Sequence, residues 1–192
     1  MGELAFVVGR SERIVLRRLN MDDLPELKRA LVENEDWLRP WLPAPMRDPR
    51  IEEHLKYDIA RGVQEWETDE AYRLGIFKGD ELIGRVSHTL ICRGNFQNSN
   101  CGYWIAQSHI GNGYAPEAVA LSLDYVFKTL ALHRVHFAVM PENPRSMRVM
   151  EKLEIRHEGF SLRYLQIGGE WRDHHLYAVL ADEWKGRRGL DD

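Results

Sequence analysis

Apolar and polar positions alternate or recur in short blocks along the chain, and each block predicts one element. Ile14-Val15-Leu16-Arg17-Arg18-Leu19 is rich in β-branched residues and reads as a strand. Asn20 then offers an N-cap, and Asp22 and Asp23 suit the positive end of a helix running through Leu24, Leu27 and Leu31. Pro40, Pro43, Pro45 and Pro49 break Trp37 to Arg50 into a loop that carries two tryptophans, and a second helix follows from Ile51 to about Trp66. Ala71 to Phe77 and Glu81 to Ile91 are strand-like, with Lys78-Gly79-Asp80 supplying hairpin turn chemistry between them. The polar run Gly94 to Ser99 leads into a third strand of this group, Cys101 to Ala106.

The period then changes from two to nearly four. Pro116 to Leu130 places apolar residues at Val119, Leu123, Val126, Phe127 and Leu130, the stripe of a helix packed on a sheet. Arg134 to Met140 reads as a strand, Pro144 to Leu153 as a short helix, and two strands around Gly168-Gly169 close the pattern. The order β-α-α-β-β-β-α-β-α-β-β predicts an α+β, or mixed α/β, domain whose central sheet is mostly antiparallel and is crossed once by a helix. No fixed-period repeat and no low-complexity segment interrupts it.

Composition narrows the class. With 192 residues, of which 44% are hydrophobic, residues 1–192 are expected to form one domain that needs neither disulfide nor structural metal. Twenty-six Lys and Arg against 30 Asp and Glu leave a formal charge of −4, which supplies no general field for nucleic acid or an anionic membrane. No apolar run spans a bilayer, and Met1 to Arg13 has no basic segment ahead of the short Leu4–Val8 stretch, so a cytoplasmic protein is expected. Cys92 and Cys101 form no metal-binding pattern, and the close histidine spacings His133-x-x-His136 and His174-His175 do not supply one, so no metal is expected.

The segment with the most chemistry in it is Ile105 to Glu117. A strand ends there, Gly111 and Gly113 make a turn around Asn112, and a helix starts near Pro116, a residue tolerated in a first turn. Such a turn aims several backbone N–H groups at one point, and a helix N-terminus favours negative charge, which suits a diphosphate. The same two glycines serve equally as plain turn chemistry. A dinucleotide fingerprint would need a small residue where Pro116 stands, and a P-loop would need a Gly-Lys-Ser/Thr ending that is missing. Glu117 helps a helix start but would repel a phosphate if it pointed inward. Thirty residues later, Asn143 sits at an N-cap position with Pro144 first in the helix and Ser146 third; this is a cap, or a ligand-facing amide and hydroxyl.

Together these segments resemble the GNAT superfamily of acyl-CoA-dependent N-acyltransferases, and within it the RimJ/RimL type, RimJ in particular. The blocks that carry the likeness are Glu33-Asn34-Glu35-Asp36-Trp37-Leu38-Arg39-Pro40-Trp41, Arg93-Gly94-Asn95-Phe96, Asn143-x-x-Ser146 with Glu151-Lys152-Leu153, Glu158-Gly159, and Gly169-Glu170-Trp171-Arg172-Asp173-His174. The resemblance implies a twisted sheet with a splayed strand pair and flanking helices. It implies that Trp104, Ile105 and Ala106 hold pantetheine by strand-like pairing, that Gly111, Asn112, Gly113, Tyr114 and Ala115 hold the diphosphate of acetyl-CoA, and that the Asn143 amide contacts the ligand. Ser146 inherits the role of protonating the departing thiolate. Ile110 stands where the family usually has Gln or Arg, and Glu154-Ile155 where it usually has Gly-Phe. The carboxylate proposed as base in RimL-type enzymes falls near Leu165 and is not carried over; the base is expected to be water or a modest carboxylate such as Glu35, which reads equally as a solvated surface charge.

The implied acceptor is the N-terminal amine of a ribosomal protein, with Trp37 and Trp41 as a wall of its groove or as anchors of the loop to the core. An α-amine of pKa about 7.7–8.0 is roughly 10–15% neutral at pH 7, whereas a lysine amine is neutral about once in 2,500, so an N-terminus needs little help from a base. A small amine such as an aminoacyl-nucleotide antibiotic or a polyamine is the rival acceptor, and a non-catalytic acyl-CoA-binding module the rival class. A homodimer is left open.

Overall fold

The computed structural model describes residues 6–42 and 48–186. The readings that rest on Pro43 and Pro45, and on the residues before Phe6, lie outside the described residues.

Eight strands form one sheet: β1 (Val7–Arg10), β2 (Val15–Arg18), β3 (Tyr72–Lys78), β4 (Glu81–Cys92), β5 (Asn98–Ile105), β6 (Arg134–Val139), β7 (Arg156–Ile167) and β8 (Glu170–Leu180). Among the described residues five α-helices accompany them: α1 (Leu24–Glu33), α2 (Glu35–Leu38), α3 (Glu52–Glu67), α4 (Tyr114–Lys128) and α5 (Pro144–Lys152). The strand order is β1-β2-β3-β4-β5-β6-β8-β7, and every neighbouring pair is antiparallel except β5 and β6, which α4 joins as the crossover.

The sheet separates two apolar clusters. On one face, Val119, Leu123 and Val126 of α4 are fully buried with Leu16, Ile76, Val86 and Val135, and Met150 of α5 joins them. On the other, Leu27 and Leu31 of α1 and Leu55 and Ile59 of α3 pack with Phe77 and Leu82. These are the positions that a helical stripe and an alternating strand pattern assign to the core. The stripe is weaker at its end, where Phe127 and Leu130 are only half-buried. A polar group sits inside the first cluster: His88 is fully buried between Ser99 Oγ at 3.2 Å and Ser122 Oγ at 3.0 Å, tying β4 and β5 to α4. Burial pushes its pKa down to about 3, so it is a neutral bracket that sets how α4 lies on the sheet.

Several boundaries differ from the sequence reading. The chain opens with two strands rather than one. The extra strand, Val7–Arg10, is a four-residue edge containing a glycine, too short for a period to show, and it is held by pairing with β2 and by the close approach of Gly9 to Leu121. Asn20 does cap, but it caps a single 3-10 turn over Met21–Asp23 through a reciprocal pair with Asp23, and α1 begins only afterwards. Glu35–Leu38 is a helical turn where the sequence reads the approach to a loop. Helix α4 starts at Tyr114, with Pro116 inside its first turn, where the missing N–H costs nothing.

The unusual Glu154 marks a local strain. It follows the C-cap of α5 at φ +53, its N–H donates to Glu151 O, and the Ile155 N–H reaches back to Met150 O, the two-bond helix stop that favours glycine. Its exposed carboxylate, 3.7 Å from Lys185, contributes little. Glu154→Gly is therefore expected to stabilise the protein by about 1 kcal/mol, the approximate cost of a left-handed non-glycine residue. Chemical denaturation checks this, and an unchanged or lower midpoint would show that the cap is unstrained.

Candidate active site

The sheet opens where its only parallel pair ends. Strands β5 and β6 stay in register at Asn98↔Arg134, Ser99↔Val135 and Asn100↔His136, and no further. Beyond this point Cys101–Ile105 keeps its pairing with β4 but has no strand partner on its other side among the described residues. A wedge-shaped gap with free backbone groups along one wall is thus built into the middle of the sheet.

The end of β5 is held firmly. The carboxamide of Asn34, buried at the end of α1, accepts from Gln107 N at 2.7 Å and donates to Ala30 O at 2.9 Å. Trp37 Nε1 donates to Ile105 O at 3.2 Å. The chain then passes a 3-10 turn, Gln107–His109, and reaches Gly111 and Gly113 at φ +83 and +78. Both lie in the left-handed region, and the second is the N-cap of α4, so these glycines are required by the backbone path. A Cβ on Gly111 would meet nothing within 4 Å. The turn therefore borders open space at the positive end of a 15-residue helix. Arg13, from the β1–β2 connection, donates to Asn112 O at 3.0 Å and ion-pairs with Glu117, whose side chain is buried. That pair answers the ambiguity of Glu117: its charge is met by a guanidinium from behind the turn.

The other wall comes from α5. Asn143 Oδ1 accepts from Ser146 N at 3.0 Å, as the cap reading expects, and Pro144 is first in the helix. Ser146 Oγ accepts from the Tyr103 hydroxyl at 3.1 Å, a bond from the splayed part of β5 across the gap to α5. Burial raises the Tyr103 pKa well above the ordinary phenol range, so the hydroxyl stays protonated.

These elements enclose a cavity of about 130 Å³. Trp37, Trp41, Trp104, Ile105, Ala115, Asn143 and Ser146, all singled out from the sequence, line it. Ala106 is buried just beyond, while Gly111, Asn112 and Gly113 form the adjoining turn. The Tyr114 ring is packed inward near Arg13 and Lys78, leaving its backbone to the turn. Residues that sequence reasoning missed are Tyr103, Arg145, Leu38, Leu42 and Val149. The link between Tyr103 and Ser146 spans 43 residues, and no local pattern signals it. Arg145 lies over the Trp37 ring, 5.0 Å from its centre, and makes no ion pair among the described residues. The departure at Ile110 contributes a cavity wall that is apolar.

Glu35 is not brought to this cavity. Its carboxylate is held by Arg50 and by Arg39, and the Arg50 hydrogen bond, ahead of the Arg39 bond, lowers its pKa. A carboxylate stabilised as the anion is a weakened base, and this one is outside the lining. Cys92 is exposed and Cys101 buried, and burial raises the Cys101 pKa, keeping it a thiol. Among the described residues no group of three His, Cys, Asp or Glu is placed to hold a metal, and no helix is long and apolar enough to cross a membrane.

The acetyltransferase (GNAT) domain family matches residues 13–156, which include the split strands, the glycine turn and α5. The chain belongs to the GNAT acetyltransferases. It is 36% identical over 173 residues to the Bacillus subtilis protein named probable N-acetyltransferase YjcK, covering 89% of this chain and 96% of that one. It is 32% identical over 178 residues to the [ribosomal protein uS5]-alanine N-acetyltransferase of Escherichia coli, covering 91% of each. Mycobacterium smegmatis RimJ, solved in complex with CoA-disulfide, superposes with a TM-score of 0.85 at 29% identity, covering 94% of this chain and 87% of that one. This GNAT enzyme is an acyltransferase, and acetyl-CoA is its co-substrate.

Proposed function

We propose that this GNAT enzyme acetylates the N-terminal α-amine of a protein, a ribosomal protein being the class its relatives point to. The observation that carries the reading is the lining of the cavity beside Ser146: it is mostly aromatic and apolar and, among the described residues, includes no carboxylate and has one cation, Arg145, without an ion-pair partner. A polyamine would bring several positive charges toward that guanidinium with no anion to receive them. An α-amine next to a peptide carbonyl offers Arg145 an acceptor and is partly neutral before it binds, so no carboxylate base is needed.

The residues fit acetyl-CoA as follows. Gly111, Asn112, Gly113, Tyr114 and Ala115 present backbone N–H groups and a helix N-terminus to the diphosphate, and the open space beside Gly111 leaves room for it. Where β5 has parted from β6, the backbone around Trp104–Ala106 that is not already bonded to β4 or to Trp37 offers strand-like pairing to the pantetheine amides, and Asn143 and Ser146 stand at the thiol end. Acetyl-CoA supplies the activated acyl group; the chain holds it, excludes water with Trp37 and Trp41, and directs the Ser146 hydroxyl to the sulfur that leaves. The described residues act as one domain, in the cytoplasm where such acceptors are made.

The test is a panel of peptides with N-terminal Ala or Ser, an aminoacyl nucleotide, and spermidine, each followed by release of CoA thiol. Peptides are expected to exceed spermidine by about 100-fold or more in kcat/KM, the equivalent of an uncompensated charge encounter of about 3 kcal/mol. Preference for spermidine would overturn the acceptor reading, preference for the aminoacyl nucleotide would move it to a small α-amine, and absence of thiol release with every acceptor would favour a binding module.

A further inference from the structure

We propose that Tyr103 is a positioning residue for catalysis: by donating its hydroxyl proton to Ser146 Oγ, it leaves the serine hydroxyl aimed as a donor at the sulfur of the bound coenzyme. The inference rests on the reading of Ser146 as the group that meets the leaving thiolate.

The argument is one of hydrogen-bond capacity. A serine hydroxyl has one proton and rotates freely, so an unconstrained Ser146 would be as ready to accept as to donate. The Ser146 backbone is fixed by the Asn143 cap. Its side-chain oxygen is approached by Tyr103, whose phenol is buried in the gap between the split strands and stays protonated at neutral pH. With the tyrosine donating, the serine proton has to point away from it and is left for a partner in the cavity that Ser146 lines. Tyr103 sits on the part of β5 that has parted from β6, and Ser146 on the helix that follows β6, so the bond also fixes the width of the gap at the thiol end.

During the reaction the amine nitrogen bonds to the acyl carbon and the carbon–sulfur bond breaks, its electron pair leaving on sulfur. Ser146 passes its proton to the sulfur and takes up the one shed by the nitrogen, directly or through solvent. Tyr103 keeps its own proton throughout, because a buried phenolate would be costly. Its contribution is orientation, prepared before the substrates arrive.

The test uses Tyr103→Phe and Ser146→Ala, singly and together, in the full chain. The phenyl ring keeps the packing of Tyr103 against the core cluster and removes the hydroxyl alone. For Tyr103→Phe, kcat is expected to fall about tenfold, with KM for acetyl-CoA nearly unchanged, since one oriented hydrogen bond is at stake. In the double variant no further loss beyond Ser146→Ala is expected, because the tyrosine acts through the serine. A readout independent of turnover is the pH titration of enzyme-bound CoA by its ultraviolet thiolate absorbance. A serine proton directed at sulfur stabilises the thiolate, so the bound thiol should titrate lower in the native protein than in either variant. If Ser146→Ala shifts that titration and Tyr103→Phe does not, the tyrosine role is overturned while the serine role stands. If neither variant shifts it, the serine reading fails and this inference with it. Losses that multiply in the double variant, or a loss of CoA affinity in Tyr103→Phe, would mark the tyrosine as scaffolding and overturn the proposal.

Discussion

Gly113→Val is expected to weaken CoA binding by about 100-fold, the equivalent of two backbone hydrogen bonds to a charged group at about 1.5 kcal/mol each. The residue caps α4 at φ +78, a conformation that costs a β-branched side chain at least about 1–2 kcal/mol. The chain can relieve this strain only by turning the peptide groups on either side, which re-aims the N–H groups at the helix start. A Cβ here would make only ordinary contact with Arg13, at 3.6 Å, so the strain at the left-handed φ carries the effect. Titration calorimetry with CoA measures the affinity, and the thermal midpoint with and without CoA separates lost binding from lost folding, since a ligand that binds only the native state raises the midpoint. Gly111→Val is the companion. Its side chain would enter the open space beside the turn, so it should block the anion. Full affinity in both variants would place the diphosphate elsewhere.

Ser146→Ala is expected to lower kcat by about 100-fold, in the range of a lost proton donor, while KM for acetyl-CoA changes little. The geometry makes the substitution a clean one. The Asn143 cap uses the Ser146 backbone N–H, which alanine retains, and the position is in a helical first turn that tolerates alanine well. What is removed is a hydroxyl that lines the cavity and the acceptor for Tyr103. Steady-state kinetics with a peptide acceptor distinguish a change in the chemical step from a change in binding. Equal turnover in the two proteins would take Ser146 out of the mechanism.

Much of the site was legible before any coordinates. The Gly111-Asn112-Gly113 turn, the Asn143 cap with Ser146 three residues on, and the tryptophans of the 37–41 block announce themselves because each is local: a positive φ, a cap and an aromatic anchor depend on a few neighbouring residues. What escaped was contact between distant segments. Glu35 looked like an available carboxylate until Arg50 and Arg39 closed on it. Asn34 pins the end of β5, a contact 73 residues away in sequence. The bond of Tyr103 to Ser146 crosses the gap where two strands adjacent in the sheet diverge.

The amino-acid order by itself determined most of the elements, β1 and α2 excepted, with their succession and which faces are apolar, because period, capping and turn chemistry act over a few residues. It also located the glycine turn and the capped serine, and with them the resemblance to the acetyltransferases. Only the tertiary structure decided where the sheet opens, which charges are already paired, and which side chains share the cavity. Those outcomes depend on how the register of β5 against β6 ends, how Arg13 meets α4, and how Arg50 meets Glu35, contacts whose partners are separated by 15 to more than 100 residues. No window of sequence contains both partners of such contacts, so folding alone brings them together.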